Sequence, residues 1–365
     1  MAAVTPFKGI YLSSNGEISI RSITEQYTPS GAQSLIKIKY SAVAPGDYRH
    51  FYLGLNSFIM GYDYTGTVVS VGPDSPFSVG DEVFGMGMPA DKRPLPTGSH
   101  QAYRLADPYL TWRRPATLDP LSAVGLTSGI QTASDMIVNL FNIGFPQAGV
   151  DGESATGKAI LIWGGASAVG WTAVQLAKAA GFAHILTTAS LKNHAALKEV
   201  GATHVFDYHS PSVVDEIRDT VQELDVELRL GLDAVTVGTG IFDGLSEAEQ
   251  AEVDKRFEES SPAVMKRALE GSGEIKVAAT LPVPRDPDYM FTIFSRRWEG
   301  EEKAHPGWWQ RQEKVVTWFI ENHETTWRPQ PVEVVTRAEE AVAAIKDSFG
   351  GKYSNLKVVL KHPLE

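Results

Sequence analysis

A run of small residues between two apolar segments carries the strongest chemical signal in this 365-residue chain. Residues 159–163 are apolar and predict a buried strand, and residues 171–178 predict a helix. We expect five residues of the connecting turn and the helix start to bind a ligand, namely Gly164, Gly165, Ser167, Ala168 and Val169. Because the side chains of the turn are small or absent, a pyrophosphate could approach the backbone N–H groups at the helix N-terminus. The pattern therefore predicts a dinucleotide-binding turn. The alternative is an ordinary strand-to-helix connection, since the spacing departs from G-x-G-x-x-G.

The residues after the next strand indicate which dinucleotide would bind. Residues 184–188 predict a second strand, and a protein that binds NAD places an Asp or Glu near the end of this strand to hold the ribose 2′-hydroxyl. No acid occurs between residues 154 and 198, whereas Ser190, Lys192 and Asn193 supply hydroxyl, ammonium and amide donors. Such donors suit a 2′-phosphate. The sequence predicts NADPH rather than NADH, the alternative being that Lys192 is only a solvated residue of an exposed helix start.

Composition excludes several kinds of site. The chain has no cysteine, which rules out disulfides and thiolate zinc sites, and its nine histidines form no helical pair beside a carboxylate. A net charge of −11 without a basic block argues against a nucleic-acid partner. The sequence contains no apolar run of membrane-spanning length and no signal-peptide pattern at its start. We therefore expect a cytoplasmic protein without a bound metal and without a membrane partner.

The elements that must position these residues follow two patterns. Short alternating or apolar runs separated by Gly and Pro predict a β-rich beginning, with strands at residues 18–20, 35–40 and 67–71. Further along, helices alternate with strands, and the predicted elements are helices at 123–140 and 213–224 and strands at 204–208 and 228–235. That alternation predicts an α/β class with a right-handed parallel sheet.

An aromatic segment, residues 289–309, interrupts this pattern after a predicted last strand at 275–281. It includes Trp298 beside Arg296 and Arg297. An aromatic cluster in a long connection indicates a cover over an apolar substrate, a contact between subunits, or a satellite of the core beneath a loop. Arg296 or Arg297, if it points outward, could meet the acidic surface or the phosphopantetheine of a carrier protein.

Several motifs occur in a fixed order along the chain. They are Ala44-Pro45-Gly46-Asp47-Tyr48, Gly61-Tyr62-Asp63-Tyr64-Thr65-Gly66, Val79-Gly80-Asp81-Glu82-Val83, Gly129-Ile130-Gln131-Thr132-Ala133 and the turn at 163–170. With these motifs the chain resembles the zinc-free, quinone-reductase-like branch of the medium-chain dehydrogenase/reductase superfamily. Within this branch it is similar to the fungal trans-acting enoyl reductases that serve polyketide synthases.

The resemblance implies a fold in which one domain is inserted into another. A doubly wound parallel-sheet (Rossmann) nucleotide domain would interrupt a β-rich GroES-like catalytic domain. We expect the GroES-like domain at residues 1–124 plus 312–365 and the NADPH-binding domain at 125–311, with residues 356–360 returning to the first domain as a strand.

The resemblance also implies site residues. Beyond the turn, the implied cofactor-binding residues are Asp47, Thr132, Ser190, Lys192, Tyr208 and Leu281. Thr132 would lie beside the nicotinamide and Leu281 near its carboxamide. Ser190, Lys192 and Tyr208 would lie near the adenosine 2′-phosphate. Arg49 stands where relatives often have a lysine facing the cleft, so the candidate catalytic residues are Arg49, Tyr48 and Thr132, with Tyr48 or water as the proton source. Ala44 replaces the usual Asn of its motif.

The activity implied is NADPH-dependent reduction of an α,β-unsaturated carbonyl, in which the β-carbon receives hydride and the α-carbon a proton. The substrate would be a polyketide-type acyl thioester, either free or held by the carrier domain of a polyketide synthase. Two alternatives remain open from the sequence. One is a reductase of free quinones, enones or aldehydes, and the other is a nucleotide-binding homologue that serves as a non-redox partner protein.

Overall fold

The computed structural model describes residues 6–88, 93–297 and 299–365. Its strands are, in chain order, β1 (Phe7–Leu12), β2 (Ile18–Ile23), β3 (Ser34–Ala42), β4 (Phe58–Ile59), β5 (Asp63–Val71), β6 (Glu82–Met86), β7 (Tyr103–Ala106), β8 (Thr111–Arg113), β9 (Ala159–Trp163), β10 (His184–Thr188), β11 (His204–Phe206), β12 (Leu230–Asp233), β13 (Lys276–Ala279), β14 (Tyr289–Phe291), β15 (Val332–Val335) and β16 (Lys357–Lys361). Its α-helices are α1 (Gly46–Arg49), α2 (Pro120–Val124), α3 (Thr127–Ser134), α4 (Ala168–Ala180), α5 (His194–Val200), α6 (Val213–Glu223), α7 (Glu247–Lys255), α8 (Ser261–Leu269), α9 (Glu299–Ala304), α10 (Trp308–Glu321), α11 (His323–Thr326) and α12 (Ala338–Phe349).

The chain divides into two compact units. The first unit comprises Met1–Ser128 and Pro329–Glu365, and the second unit is Gly129–Arg328. The second boundary falls after α10, whereas the sequence-based division at 125–311 and 312–365 places it at the start of this helix. The reason is that the Gln312 side chain in α10 donates hydrogen bonds to the backbone oxygens of Gln131 and Phe294, which both lie in the second unit.

The first unit is built on a mostly antiparallel sheet. Its strand order is β15-β16-β3-β5-β6-β8, β7 also pairs with β3, and a small second sheet has the order β2-β1-β4. The C-terminal strand β16 pairs antiparallel with β3. The expected return of the chain end to the first domain is therefore confirmed. Buried apolar residues of β1, β16 and α12, among them Ile10, Ile345 and Leu360, pack in one core cluster.

The second unit contains the predicted parallel sheet. Its order is β11-β10-β9-β12-β13-β14, and every neighbouring pair is parallel. Counted within this sheet, that order is 3-2-1-4-5-6, the doubly wound arrangement in which ligands bind where the strand order reverses, between β9 and β12. All residues of β9 are buried, as expected for a strand covered on both faces.

Two predicted elements differ from the observed ones. The helix predicted at 123–140 is α2 and α3 followed by a π-helical stretch, Asp135–Leu140, because the carboxylate of Asp119 caps α2 and Gly125 ends it. The predicted last strand at 275–281 is followed by one more, since β14 at the start of the aromatic segment pairs with β13. Local patterns did not reveal this pairing because β14 is short and partly exposed.

Within the described ranges, no helix combines the length and the apolar character needed to cross a membrane.

Candidate active site

The turn between β9 and α4 leaves no room for side chains. A Cβ on Gly165 would lie 2.2 Å from Thr187 Oγ1, and one on Gly170 would lie 2.3 Å from the backbone oxygen of Gly164. Gly164 has a φ of +82°, and a Cβ there would approach Val235 to 2.7 Å. All three glycines are therefore required by close packing, and Gly164 is required by its backbone conformation as well. The turn fits the backbone cradle that a pyrophosphate needs.

The start of α4 presents backbone donors next to this turn. Ser167 is the N-cap, and its Oγ accepts a hydrogen bond of 3.0 Å from the backbone N–H of Gly170. Ala168 and Val169 follow in the first turn, where a helix has no acceptors of its own for the backbone N–H groups. The positive end of the helix dipole adds to the attraction for an anion. The five predicted turn residues thus lie together at the reversal point of the sheet.

A buried acid that sequence reasoning missed holds the loop facing this turn. Asp233, the last residue of β12, is fully buried, and its Oδ1 accepts from the backbone N–H groups of Val235 and Thr236 at 3.0 and 2.8 Å. Its Oδ2 accepts from Ser261 Oγ at 2.6 Å. Burial raises the pKa of Asp233, and these hydrogen bonds oppose that shift. The carboxylate fixes the loop that packs Val235 against Gly164. An acid that ends a buried strand was the available signal.

The predicted 2′-phosphate residues lie at the ends of β10 and β11. Ser190 and Tyr208 are brought together, with Ser190 Oγ donating to Tyr208 Oη at 3.5 Å. Tyr208 is 45% exposed and packs against the His209 ring, and Lys192 is exposed in the short turn before α5. Two hydroxyls and one ammonium group therefore face solvent close to the sheet edge.

Thr132 and Leu281 lie elsewhere in the second unit. The backbone oxygen of Thr132, in α3, accepts from Thr292 Oγ1 at 3.4 Å. The backbone N–H of Leu281, after β13, donates to Thr236 Oγ1 at 3.3 Å. Leu281 is thus tied to the loop that Asp233 organises.

In the first unit, Asp47 begins a buried chain of polar groups. Its Oδ2 accepts from the backbone N–H of Ala44 at 2.8 Å and lies 3.3 Å from His100 Nε2. His100 Nδ1 is 2.9 Å from Ser41 Oγ, which is 2.7 Å from His362 Nε2. Burial, with a smaller effect of His100, lowers the pKa of His362 to about 3, so this ring is neutral at pH 7. Asp47 therefore keeps the 44–47 turn closed although Ala44 has replaced the usual Asn.

The two other candidate catalytic residues follow Asp47 in α1. Tyr48 Oη donates to the backbone oxygen of Gly16 at 3.1 Å, and burial raises the pKa of this phenol. The Arg49 guanidinium lies 5.7 Å from the centre of the Phe349 ring. Asp47, Tyr48 and Arg49 therefore share one helical turn, and the Tyr48 hydroxyl is already committed to a backbone acceptor.

A histidine–tyrosine pair next to this turn was not singled out from the sequence. His50 Nδ1 and Tyr62 Oη form a short hydrogen bond, and their rings meet edge to face at 5.1 Å. Burial lowers the pKa of His50 to about 4 and raises the pKa of Tyr62 to about 12. Both groups are neutral at pH 7 and serve as a fixed hydrogen-bonded pair.

The acid of the Gly61-Tyr62-Asp63 motif anchors the start of α3. Asp63 is buried and accepts from Thr127 Oγ1 and Ser128 Oγ, each at 2.7 Å. Lys357 Nζ lies 3.8 Å from the carboxylate. Burial raises the pKa of Asp63, and Lys357 and the two hydroxyls oppose this effect. The motif is thus explained by helix capping at a buried position.

The aromatic segment does not present both arginines outward. Arg296 is 3% exposed and forms a double ion pair, with Nε 2.6 Å from Asp135 Oδ1 and Nη1 2.5 Å from Glu301. Arg296 therefore does not point outward, because a buried guanidinium needs the acids that surround it here. Arg297 is exposed and stacks on Trp309 at 4.6 Å. Trp298 lies outside the described residues.

Groups of acids and histidines suited to hold a metal ion are absent from the described parts of both units.

The fold and the glycine turn define a class of protein in which a domain with a doubly wound parallel sheet is inserted into a β-rich domain. Residues 30–111 match the family described as alcohol dehydrogenase GroES-like domain, and residues 168–270 match the zinc-binding dehydrogenase family. The chain belongs to the medium-chain dehydrogenase/reductase superfamily, whose members bind a nicotinamide cofactor.

Several known proteins are similar to this chain. It is 34% identical over 197 residues to the trans-enoyl reductase himH of Aspergillus japonicus, covering 52% of this chain and 56% of that protein. It is 35% identical over 191 residues to the dehydrogenase pigH of Monascus ruber, covering 52% and 51%. The chain thus spans about half the length of these relatives. A solved alcohol dehydrogenase superfamily protein from Novosphingobium aromaticivorans superposes with a TM-score of 0.71 at 19% identity, over 98% of this chain and 99% of that one. This likeness confirms the predicted architecture.

Proposed function

We propose that the protein is an NADPH-dependent reductase of α,β-unsaturated carbonyls, acting on a polyketide-type enoyl thioester. The observation that carries this proposal is the glycine turn at the reversal point of the parallel sheet, with Ser190 and Tyr208 hydroxyls at the neighbouring strand ends. A relative named trans-enoyl reductase supports the reaction class.

The second unit's role is to bind and orient the cofactor. The backbone N–H groups of Ala168 and Val169 would hold the pyrophosphate. Ser190, Lys192 and Tyr208 would hold the 2′-phosphate, for which charged and hydroxyl donors are suited. When bound, the reduced nicotinamide supplies hydride to the β-carbon of the substrate.

The first unit's role is to manage charge and the proton. We assign to Arg49 the stabilisation of negative charge that develops on the carbonyl oxygen. Tyr48 already donates its proton to Gly16 and its pKa is raised, so it releases that proton less readily than an unburied phenol. We therefore assign the α-carbon proton to water, with side-chain donors taking the place that a zinc ion has in other members of the superfamily.

The test compares substrates and cofactors with one purified protein. The loss of reduced-nicotinamide absorbance is followed with an enoyl-pantetheine thioester, a free enone, an aldehyde and a quinone, each with NADPH and NADH. The proposal predicts turnover of the thioester with NADPH at a kcat/KM well above those of the other pairs. If the protein binds NADPH but oxidises it with none of these substrates, the non-redox alternative is correct.

A pair of lysine variants tests the cofactor assignment. Lys192→Ala should weaken NADPH binding by about 1–3 kcal/mol and leave NADH binding nearly unchanged, because only the 2′-phosphate contact is lost. Lys198→Ala, an exposed lysine of α5, is the matched control and should change neither. Equal losses for NADPH and NADH in Lys192→Ala would contradict the assignment.

A further inference from the structure

Two buried arginines in the first unit border one cavity. Arg93 is 6% exposed and Arg104 is 3% exposed, and both line a cavity of about 200 Å³. Arg93 donates from Nη2 to the backbone oxygen of Gly61 at 3.0 Å, whereas its Nε and Nη1 are buried without a hydrogen-bond partner among the described residues. A buried guanidinium with two unused nitrogen donors is unusual, because each unmet donor destabilises the folded protein.

The second arginine is hydrogen-bonded through two of its three nitrogens, and its Nε donates to the backbone oxygen of Leu105 at 3.4 Å. Arg104 Nη1 donates to Ser99 Oγ at 2.6 Å and to the backbone oxygen of Tyr62 at 3.2 Å. Its Nη2 would lie 3.4 Å from a Cβ on Gly87, a residue of the cavity wall, so this end of the guanidinium reaches the cavity. Burial and the charge of Arg93 lower the pKa of Arg104, while Tyr64 opposes the shift.

Aromatic rings pack against the two cations. The Arg93 guanidinium carbon lies 4.3 Å from the Phe58 ring centre and 4.4 Å from that of Tyr62. Arg104 lies 4.1 Å from the ring centre of Tyr64. Such stacking covers the faces of a guanidinium and leaves its in-plane donors available for an acceptor. The rings therefore hold the arginines in place but do not complete their hydrogen bonding.

The remaining cavity wall defines what the acceptor can be. Met86, Met88 and Leu110 supply apolar surface. Asp107 also lines the cavity, but its side chain is exposed, and no ion pair joins it to either arginine within the described part of the chain. We propose that this cavity binds a small organic anion, whose carboxylate or phosphate group accepts from Arg93 and Arg104 while an apolar part lies against the methionines. All residues that line the cavity belong to the first unit, and the proposal does not depend on the enoyl reductase activity.

The first experiment measures binding to the full chain saturated with NADPH. Benzoate and phenyl phosphate are the probes, benzamide is the neutral isostere of benzoate, and isothermal titration calorimetry is the readout. We expect saturable binding of at least one anion, and which of the two binds more tightly identifies the carboxylate or the phosphate as the natural group. Absence of binding by both anions, or equal binding of benzamide, would overturn the proposal.

Variants then connect the binding to the arginines. Arg93→Met should weaken the better anion at least tenfold and should not lower the melting temperature without ligand, because an unpaired buried cation is removed. The control is Arg113→Met, which removes an arginine that stacks on Phe77 and pairs with Asp81 away from the cavity; it should bind the anion normally. Unchanged anion affinity in Arg93→Met would refute the site.

A second variant covers the case in which Arg93→Met does not fold. Met88→Trp keeps both arginines and fills the cavity with a larger side chain. It should also weaken the anion at least tenfold. If Met88→Trp binds the anion with the affinity of the natural protein, the anion does not occupy this cavity and the proposal fails.

Discussion

Replacement of Arg296 by methionine should strongly destabilise the second unit. The guanidinium binds the fully buried Asp135 carboxylate in a two-point contact, with Nε 2.6 Å from Oδ1 and Nη2 2.9 Å from Oδ2. Methionine fills part of the same space but leaves the carboxylate without its cation. Removal of one partner from a buried pair costs about 3–5 kcal/mol of unfolding free energy.

The structure places the expected loss near the lower end of that range. Asp135 still accepts from the Asn139 side chain, the backbone N–H of Ile293 and Thr292 Oγ1, at 2.9, 2.9 and 3.0 Å. These neutral donors continue to solvate the negative charge. We therefore expect a loss of about 3 kcal/mol for Arg296→Met. The double variant with Asp135→Asn should recover part of it, since the buried anion is then absent.

Urea unfolding followed by tryptophan fluorescence and by circular dichroism measures this loss. The matched control is Arg297→Met, in which an exposed arginine stacked on Trp309 is removed. An exposed cation–π contact of this kind contributes about 0.5–1 kcal/mol. Equal losses for Arg296→Met and Arg297→Met would refute the conclusion that the buried ion pair holds the aromatic segment in place.

Three further predictions follow from other contacts. Gly165→Ala should cost about 1–3 kcal/mol of stability and weaken dinucleotide binding, because its Cβ would lie 2.2 Å from Thr187 Oγ1. The control Gly350→Ala should be tolerated, because the nearest atom to its Cβ would be 3.5 Å away. Thermal melts with and without NADPH compare the two variants. The free energy of unfolding should fall as pH decreases from about 6.5 to about 3, because in this range the unfolded chain protonates His362 and the folded chain does not. His362→Gln should reduce the slope of stability against pH by up to about 1.4 kcal/mol per unit, and a slope that is unchanged in this variant would exclude His362 as its source. Treatment with a zinc chelator should leave turnover unchanged, and a loss of activity that zinc restores would reveal a metal site.

Strands and helices with strong local patterns were predictable from the sequence. The apolar run that forms β10, His184–Thr188, has the same bounds in prediction and structure, because a buried parallel strand needs a short continuous apolar segment. The glycine turn was also predictable, since only small residues fit so close to Thr187 and Val235.

The polar networks could not be predicted, because their members are distant in sequence. Ser41 and His362 are separated by 321 positions, and their hydrogen bond exists only because β16 returns to β3. Arg296 and Asp135 are 161 positions apart, so two adjacent arginines looked equivalent although one is buried and one is exposed. Asp233 lay within a predicted strand, but its role depends on a loop whose conformation no local pattern describes.

Isotope labelling is the direct test of hydride transfer to the β-carbon of an enoyl thioester. The full chain is incubated with an enoyl-pantetheine thioester and NADPH that carries deuterium at the transferable position of its nicotinamide, and the product is analysed by mass spectrometry and NMR. We expect a saturated thioester with one deuterium on the β-carbon and a solvent-derived hydrogen on the α-carbon. Deuterium at the carbonyl carbon, or unchanged thioester beside intact NADPH, would contradict it.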